Sequence, residues 1–382
     1  MQISRLLNIL VILSLGFTVS CIEKFSPDID DYEGQLVVDG VITNLDEPYQ
    51  IKLSNTSPVD DPEYRPLEGA EVIVEDSEHN TYTFGEIAPG TYQNADFTGE
   101  VGVSYRLLIT TPNGKQYETA YLEMPSSNPI DTVYPVIETR ATEDPEYDEI
   151  GYQFYLSTHD PQGQQWRYLW KLTETYEYNA DYSLDYTYSG GFTEYPSPLE
   201  FYTCWRTNKV EELFLFDATT IQTGNLENIP LVYVNTETRK LSVRYSLLID
   251  QYVITEDAYV FFKAVNEMNS GDDLLYTTQP YQIQGNVECV SNPDEKVLGL
   301  FWVAGKTNQR IFVDPPIDIS FYYEICTINT QGVPYIGNYN PLDWPIYLTT
   351  TDNGEMGIVG QACVDCRLRG GTLEMPDFWE NH

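Results

Sequence analysis

The chain has 382 residues, room for two or three domains at roughly 150 residues each. Hydrophobic residues make up 42% and charged residues 21%, which allows a sizeable core and excludes a globally disordered chain. The 59 acidic against 20 basic residues give a net charge of -39, which excludes a nucleic-acid partner, because phosphate neutralisation needs clustered Lys and Arg, and opposes adsorption to anionic lipid heads.

Met1–Ser20 opens on a polar start carrying Arg5 and then runs apolar from Leu6 to Val19, interrupted at Asn8, Ser14, Gly16 and Thr18. Such a run is too short and too broken for a membrane span and reads as a secretory signal peptide. Cys21 follows the small pair Val19-Ser20, although Thr18 stands where lipoprotein signals usually carry Leu. The expected chemistry is a thioether from diacylglycerol to the Cys21 sulfur, with the new N-terminus acylated, since two or three acyl chains anchor stably where one is marginal. Residues 21–33 then form an acidic, lipidated tether. Its Asp28, Asp30 and Asp31 lack the Gly-centred loop and closing Glu of a calcium site, so no metal is expected there.

Residues 34–125 are expected to form an N-terminal β-sandwich. Gln35–Thr43 is β-branched, Tyr49–Leu53 alternates, and Glu71–Glu75 and Thr81–Phe84 are short strands. Tyr105–Thr111 and Gln116–Leu122 flank Pro112-Asn113-Gly114, a hairpin turn. Turn signals recur at roughly 8–12-residue spacing, the rhythm of a sandwich. Pro66–Val74 with Ala88–Tyr92 resembles the carboxypeptidase-regulatory-like and immunoglobulin-like modules of envelope proteins. Pro125–Pro129 marks a boundary.

Residues 126–382 are expected to form a second, larger β-sandwich-type domain with one short helix. Gly151–Leu156 alternates, and Trp166, Tyr168, Trp170 and Leu172 share one strand face, with the tryptophans in the core. Thr173–Pro198, rich in Tyr, Ser and Gly, is expected to leave the sheet as a long excursion. Its Tyr176, Tyr178, Tyr182, Tyr186 and Tyr188 are the expected exposed contact surface, rigid and amphipathic enough for a protein partner or for sugar stacking. Near 255–269 a helix is predicted, with Thr255 as N-cap, Glu256 and Asp257 in the first turn, and Ala258, Phe261, Phe262, Val265 and Met268 at helical spacing.

With Cys21 assigned to lipid, Cys204, Cys289, Cys326, Cys363 and Cys366 remain as disulfide candidates for an oxidising compartment. Two bonds leave one thiol over, with five choices of the odd cysteine and three pairings of the other four. Cys363-Val-Asp-Cys366 also has the spacing of a redox pair or half a zinc site, but no βαβ pattern surrounds it and two more ligands would be needed. The sequence carries no G-x-S-x-G elbow, H-E-x-x-H, phosphate-binding loop or dinucleotide fingerprint. His79 and His159 sit in turn-like contexts, and no cofactor or catalytic residue is expected.

Gln279–Asn286, Asn292–Phe301, Lys306–Phe312, Cys363–Thr372, Pro376–Trp379, Cys204-Trp205 and Leu36–Ile42 together resemble the Bacteroidota lipoprotein family catalogued as domain of unknown function 4249. The resemblance implies an outer-membrane lipoprotein, often encoded beside a TonB-dependent transporter, with no known activity or catalytic residue. A non-catalytic binding or accessory subunit is the leading expectation, its cargo, whether glycan or small molecule, left open. A purely structural envelope protein and a hydrolase using paired carboxylates are the alternatives.

Overall fold

Alternation over the first strand places Leu36, Val38 and Ile42 inside and Asp39 outside, and the same arithmetic builds the rest of the first sandwich. The structure is a computed structural model that describes residues 34–58, 63–144, 147–164, 166–221, 224–269 and 283–379. The segments expected to be a signal peptide and a lipidated tether, Cys21 included, lie outside the described residues. The first strands are β1 (Leu36–Thr43), β2 (Tyr49–Asn55), β3 (Arg65–Pro66), β4 (Glu71–Asp76), β5 (Thr81–Ala88), β6 (Thr91–Asn94), β7 (Ser104–Thr110), β8 (Gln116–Thr119) and β9 (Leu122–Glu123). One core holds Val38, Ile51, Leu53, Val72, Leu107 and Phe97. Each fully buried aliphatic side chain there contributes about 1.5–3 kcal/mol over leaving it in water. β5 turns the corner of the sandwich: Thr81–Phe84 pairs with β4, whereas Gly85–Ala88 pairs with β6 across a bulge. The Pro112-Asn113-Gly114 turn joins β7 to β8, with Gly114 at φ 85 and Thr111 N–H donating to the Lys115 carbonyl at 3.0 Å.

His79 lies in the β4–β5 turn and faces the Glu75 carboxylate through Nδ1 at 2.7 Å. Glu75 also accepts from the Tyr121 hydroxyl at 2.6 Å and from Arg106 at 3.1 Å. Hydrogen bonds from Tyr121 and then His79, assisted by Arg106, hold its carboxyl down to about 2. A folded-state value below the unfolded one means stabilisation that is complete above about pH 4.5 and lost as the pH falls toward 2. Acid titration followed by circular dichroism is therefore expected to show a shallower loss of stability in that window for Glu75→Gln than for the parent.

The chain continues with β10 (Ile130–Ala141), β11 (Asp148–His159), β12 (Arg167–Asn179), β13 (Tyr186–Tyr188), β14 (Phe192–Glu194), β15 (Thr203–Lys209), β16 (Phe214–Asp217), β17 (Asn225–Asn235), β18 (Arg244–Ile254), β19 (Val287–Cys289) and β20 (Leu298–Val313), of which β13, β14 and β19 lie outside the larger sandwich. A sheet ordered β15-β12-β18-β20 packs on the three-stranded sheet β10-β11-β17. Phe154, Leu156, Leu231, Trp170, Leu172 and Ile249 fill the space between them. Trp170 donates its indole N–H to Gln251 at 2.9 Å, and Gln251 donates to the Asn128 carbonyl at 2.9 Å, which satisfies the buried polar groups and fixes the 125–129 segment. Among the described residues α1 (Glu256–Asn269) is the one α-helix. Thr255 caps it, accepting from the Ala258 N–H at 3.4 Å, and Ala258 and Phe262 pack on Leu169, Tyr252 and Trp302 on the outer face of the sheet.

Strand pairing crosses position 125. The first half of β20 pairs in parallel with β1, Val37 to Thr43 against Leu298 to Ala304. Its second half pairs antiparallel with β18, Gly305 to Val313 against Val253 to Tyr245. β19 adds to β8 at the far edge of the first sandwich. Beside the seam the buried Lys306 ammonium lies 3.0 Å from Glu47 and 3.4 Å from Asp250, one partner from each side.

The expected excursion at Thr173 begins later. β12 continues to Asn179, paired on one edge with β15 and on the other with β18. Its inward alternation runs Tyr168, Trp170, Leu172, Glu174, Tyr176, Tyr178. Glu174 interrupts the apolar pattern yet stays inside, because Lys240 at 2.8 Å and the Tyr245 hydroxyl at 3.1 Å satisfy its carboxylate.

Candidate functional site: a disulfide-clamped cap

Beyond Ala180 the chain leaves the sheet and builds a cap. Its four-stranded sheet has the order β14-β13-β21-β22, where β21 is Ile346–Thr350 and β22 is Met356–Val359. Proline-rich 3-10 turns at Val333–Asn338 and Pro341–Asp343 precede β21. The cap is tied to the body by Asp181, whose side chain is 2% exposed. That carboxylate accepts from Arg239 at 2.5 Å, from Arg369 at 2.8 Å and from the Cys326 N–H at 3.1 Å.

Two disulfides complete the clamp, Cys204–Cys366 and Cys326–Cys363, and Cys289 is the odd, buried thiol. The two cysteines of the C-x-x-C motif thus belong to different bonds, which takes both away from a vicinal redox pair and from zinc. The first bond pins the tail to β15, where Trp205 and Thr372 exchange backbone hydrogen bonds at 2.8 and 2.9 Å. That pairing covers an edge strand that would otherwise present free N–H and C=O groups to another chain.

The Tyr-rich stretch and the tail motif meet around a half-enclosed cleft of about 270 Å³. Leu184, Tyr195, Phe201 and Tyr347 supply its apolar walls. Arg367 and Asp365 supply a polar edge as a forked pair at 2.9 and 2.8 Å, with the guanidinium 4.0 Å above the Phe201 ring. The Arg367 hydrogen bonds hold the Asp365 carboxyl below the ordinary carboxylate range. Aromatic faces beside a locked polar edge suit a small ligand with one apolar face and one hydrogen-bonding rim.

The expected tyrosine surface is corrected. Tyr176 and Tyr178 are 8% and 2% exposed, inside the larger sandwich, because they continue the inward face of β12. Tyr182 is half-buried and donates its hydroxyl to the Cys326 carbonyl at 2.6 Å. Tyr186 and Tyr188 are half-buried on β13 against Ile336, Ile346 and Leu348. Exposed apolar side chains of the cap include instead Phe192, Tyr335 and Leu342, which the sequence reading missed. Phe192 borders a second, open groove with Val333, Pro334 and Met356. Their one legible signal is isolated large apolar residues inside Pro- and Gly-punctuated turns, where no periodicity offers them a buried face.

His159 ends β11 and faces Asp131 at 2.7 Å, and both side chains are about 40% exposed. Ser157, on the same face of the strand, accepts from the Asn228 N–H at 3.2 Å. Water competes for all three groups, unlike the enclosed geometry that activates a serine nucleophile.

The family described as Domain of unknown function (DUF4249) matches residues 22–310. The chain belongs to this family. No curated protein matches it. The DUF4249 match takes in the first sandwich and the larger one as far as Arg310 within β20. Cys326, β21, β22 and the C-x-x-C tail lie beyond the matched residues, so the cleft joins a wall inside the DUF4249 segment to one outside it.

Proposed function

We propose that this protein is a lipid-anchored protein of the outer membrane that works as a non-catalytic binding or accessory subunit beside a TonB-dependent transporter barrel. The observation that carries this reading is the placement of exposed apolar side chains. Leu342 at 89% and Ile317 at 83% are the most exposed large hydrophobics among the described residues, and Tyr335 and Ile325 follow in the same stretch of chain. Single exposed apolar residues are ordinary, but several within one stretch of chain, residues 317–342, support an interaction surface there. The apolar run before Cys21 and the acidic tether after it support the anchor.

Full-length tagged protein extracted in mild detergent is expected to bring a large barrel with it, and the mature N-terminus is expected to be an acylated Cys21. The double variant Leu342→Asp, Tyr335→Ala should lose the barrel while keeping its thermal midpoint. Repeated recovery of the parent as a lone monomer, or a mature chain with Cys21 unmodified, counts against the proposal.

A further inference from the structure

The two disulfides differ in surroundings in a way that assigns them different chemistry. Cys204 and Cys366 are 0% exposed and lie in the core of the larger sandwich. Reducing that bond would leave a thiolate with little solvation, and burial in apolar surroundings disfavours the thiolate. Cys326 is half-buried and Cys363 is 7% exposed, against 0% for both cysteines of the other bond, and the Cys326 sulfur lies 3.3 Å from Nη2 of Arg369. Arg369 shares the Asp181 carboxylate with Arg239, so in this cluster two guanidinia stand against one carboxylate and its charge is positive. A thiolate at Cys326 would gain a charge-assisted hydrogen bond and a favourable field, both of which stabilise the reduced state.

We propose that Cys326–Cys363 is a thiol-exchange site whose substrate is the dithiol of an envelope redox partner, while Cys204–Cys366 is the permanent staple. This inference rests on the envelope location proposed above and not on the accessory role. One thiolate of the partner attacks Cys363, a new S–S bond forms there, and the Cys326–Cys363 bond breaks with its electron pair leaving on Cys326 beside Arg369. The partner's second thiol, losing its proton to solvent, then displaces Cys363 from the mixed disulfide. The chain ends with two thiols, the partner with one disulfide, and two electrons have passed. The consequence is mechanical. The segment from Cys326 to Cys363 carries β21 and β22, and with them Tyr347 of the cleft wall. Opening the bond frees that wall while the tail stays pinned through Cys366.

The test is a dithiothreitol titration of the native, oxidised protein, quenched in acid, alkylated and mapped by peptide mass. Cys326 and Cys363 are expected to become alkylated at dithiothreitol concentrations on the order of tenfold below those that open Cys204 and Cys366. Alkylation follows denaturation of the quenched protein, so Cys289 labels at every concentration as the control for complete labelling, and circular dichroism before the quench checks that the fold survived. Arg369→Leu should raise the concentration needed severalfold, and Arg369→Lys should restore part of the difference by keeping the charge. Opening of Cys204–Cys366 first, or of both bonds together, overturns the proposal. So does an Arg369→Leu protein, still folded by circular dichroism, that opens at the parent's concentration.

Discussion

Asp181→Ala is expected to cost about 3–5 kcal/mol of folding stability, because it strands buried cations instead of merely removing a contact. The Asp181 carboxylate neutralises Arg239 and Arg369, whose side chains are themselves largely covered, and it also receives the backbone N–H of Cys326. Deleting one partner of a buried pair leaves the full desolvation penalty of the other, here twice over. Asp181→Asn keeps an acceptor and loses the charge, so a smaller loss of about 1–3 kcal/mol is expected. The comparison is Glu256→Ala, which removes an exposed carboxylate 3.6 Å from Arg167. A solvated pair of that kind is worth roughly 0–1 kcal/mol. Urea unfolding with disulfides intact, read as a shift of midpoint at constant slope, checks all three. If Asp181→Ala and Glu256→Ala fall together, the hub is not what fastens the cap.

Local physics explains which parts of this architecture could be read from the chain. Leu36–Thr43 alternates because one face is buried, the Pro112-Asn113-Gly114 turn needs the positive φ that Gly114 supplies, and Thr255 announces α1 because a hydroxyl there satisfies an otherwise orphaned N–H. Each is a short-range demand that leaves a short-range mark, and the family resemblance rested on such marks. The unread parts depend on distant partners. The Tyr-, Ser- and Gly-rich composition of Thr173–Pro198 points to an excursion from Thr173, whereas β12 runs on to Asn179 with Glu174 buried, which Lys240 and Tyr245, far along the chain, make tolerable. Tyr176 and Tyr178 lie inside for the same reason, continuing the inward face of β12. Which cysteine pairs with which is set by the fold bringing together residues 162 and 37 positions apart, and spacing alone carries no trace of it. The cleft is hidden for the same reason, since its two walls come from separate stretches that the cap folds together.

The seam between the sandwiches hangs on a glycine that illustrates the same point. Gly299 sits at φ 82 on β20, opposite Val38 of β1, and a Cβ built there would lie 2.0 Å from the Val38 carbonyl oxygen. On its other side Gly285 is as tight, its own added Cβ falling 1.7 Å from the Gly299 carbonyl oxygen. Three backbone segments thus converge with no room for a side chain. Gly299→Ala is expected to cost about 2–5 kcal/mol, the left-handed conformation contributing about 1–2 and the forced separation of strands the remainder. Gly354 separates the two contributions, because it has nearly the same φ of 80 and nothing within 4 Å of an added Cβ. Gly354→Ala should therefore lose only the conformational part, about 1–2 kcal/mol. Native-state hydrogen exchange shows where the loss falls. Because β20 is shared between both sandwiches, Gly299→Ala should lower protection in β4 of the first and in β12 of the second alike, whereas Gly354→Ala should leave both unchanged. Equal effects of the two alanines would mean the strands part easily and the seam does not couple the halves. Loss of protection in β4 alone would mean the larger sandwich stands without the smaller one, and the shared strand would then be an attachment instead of a common core element.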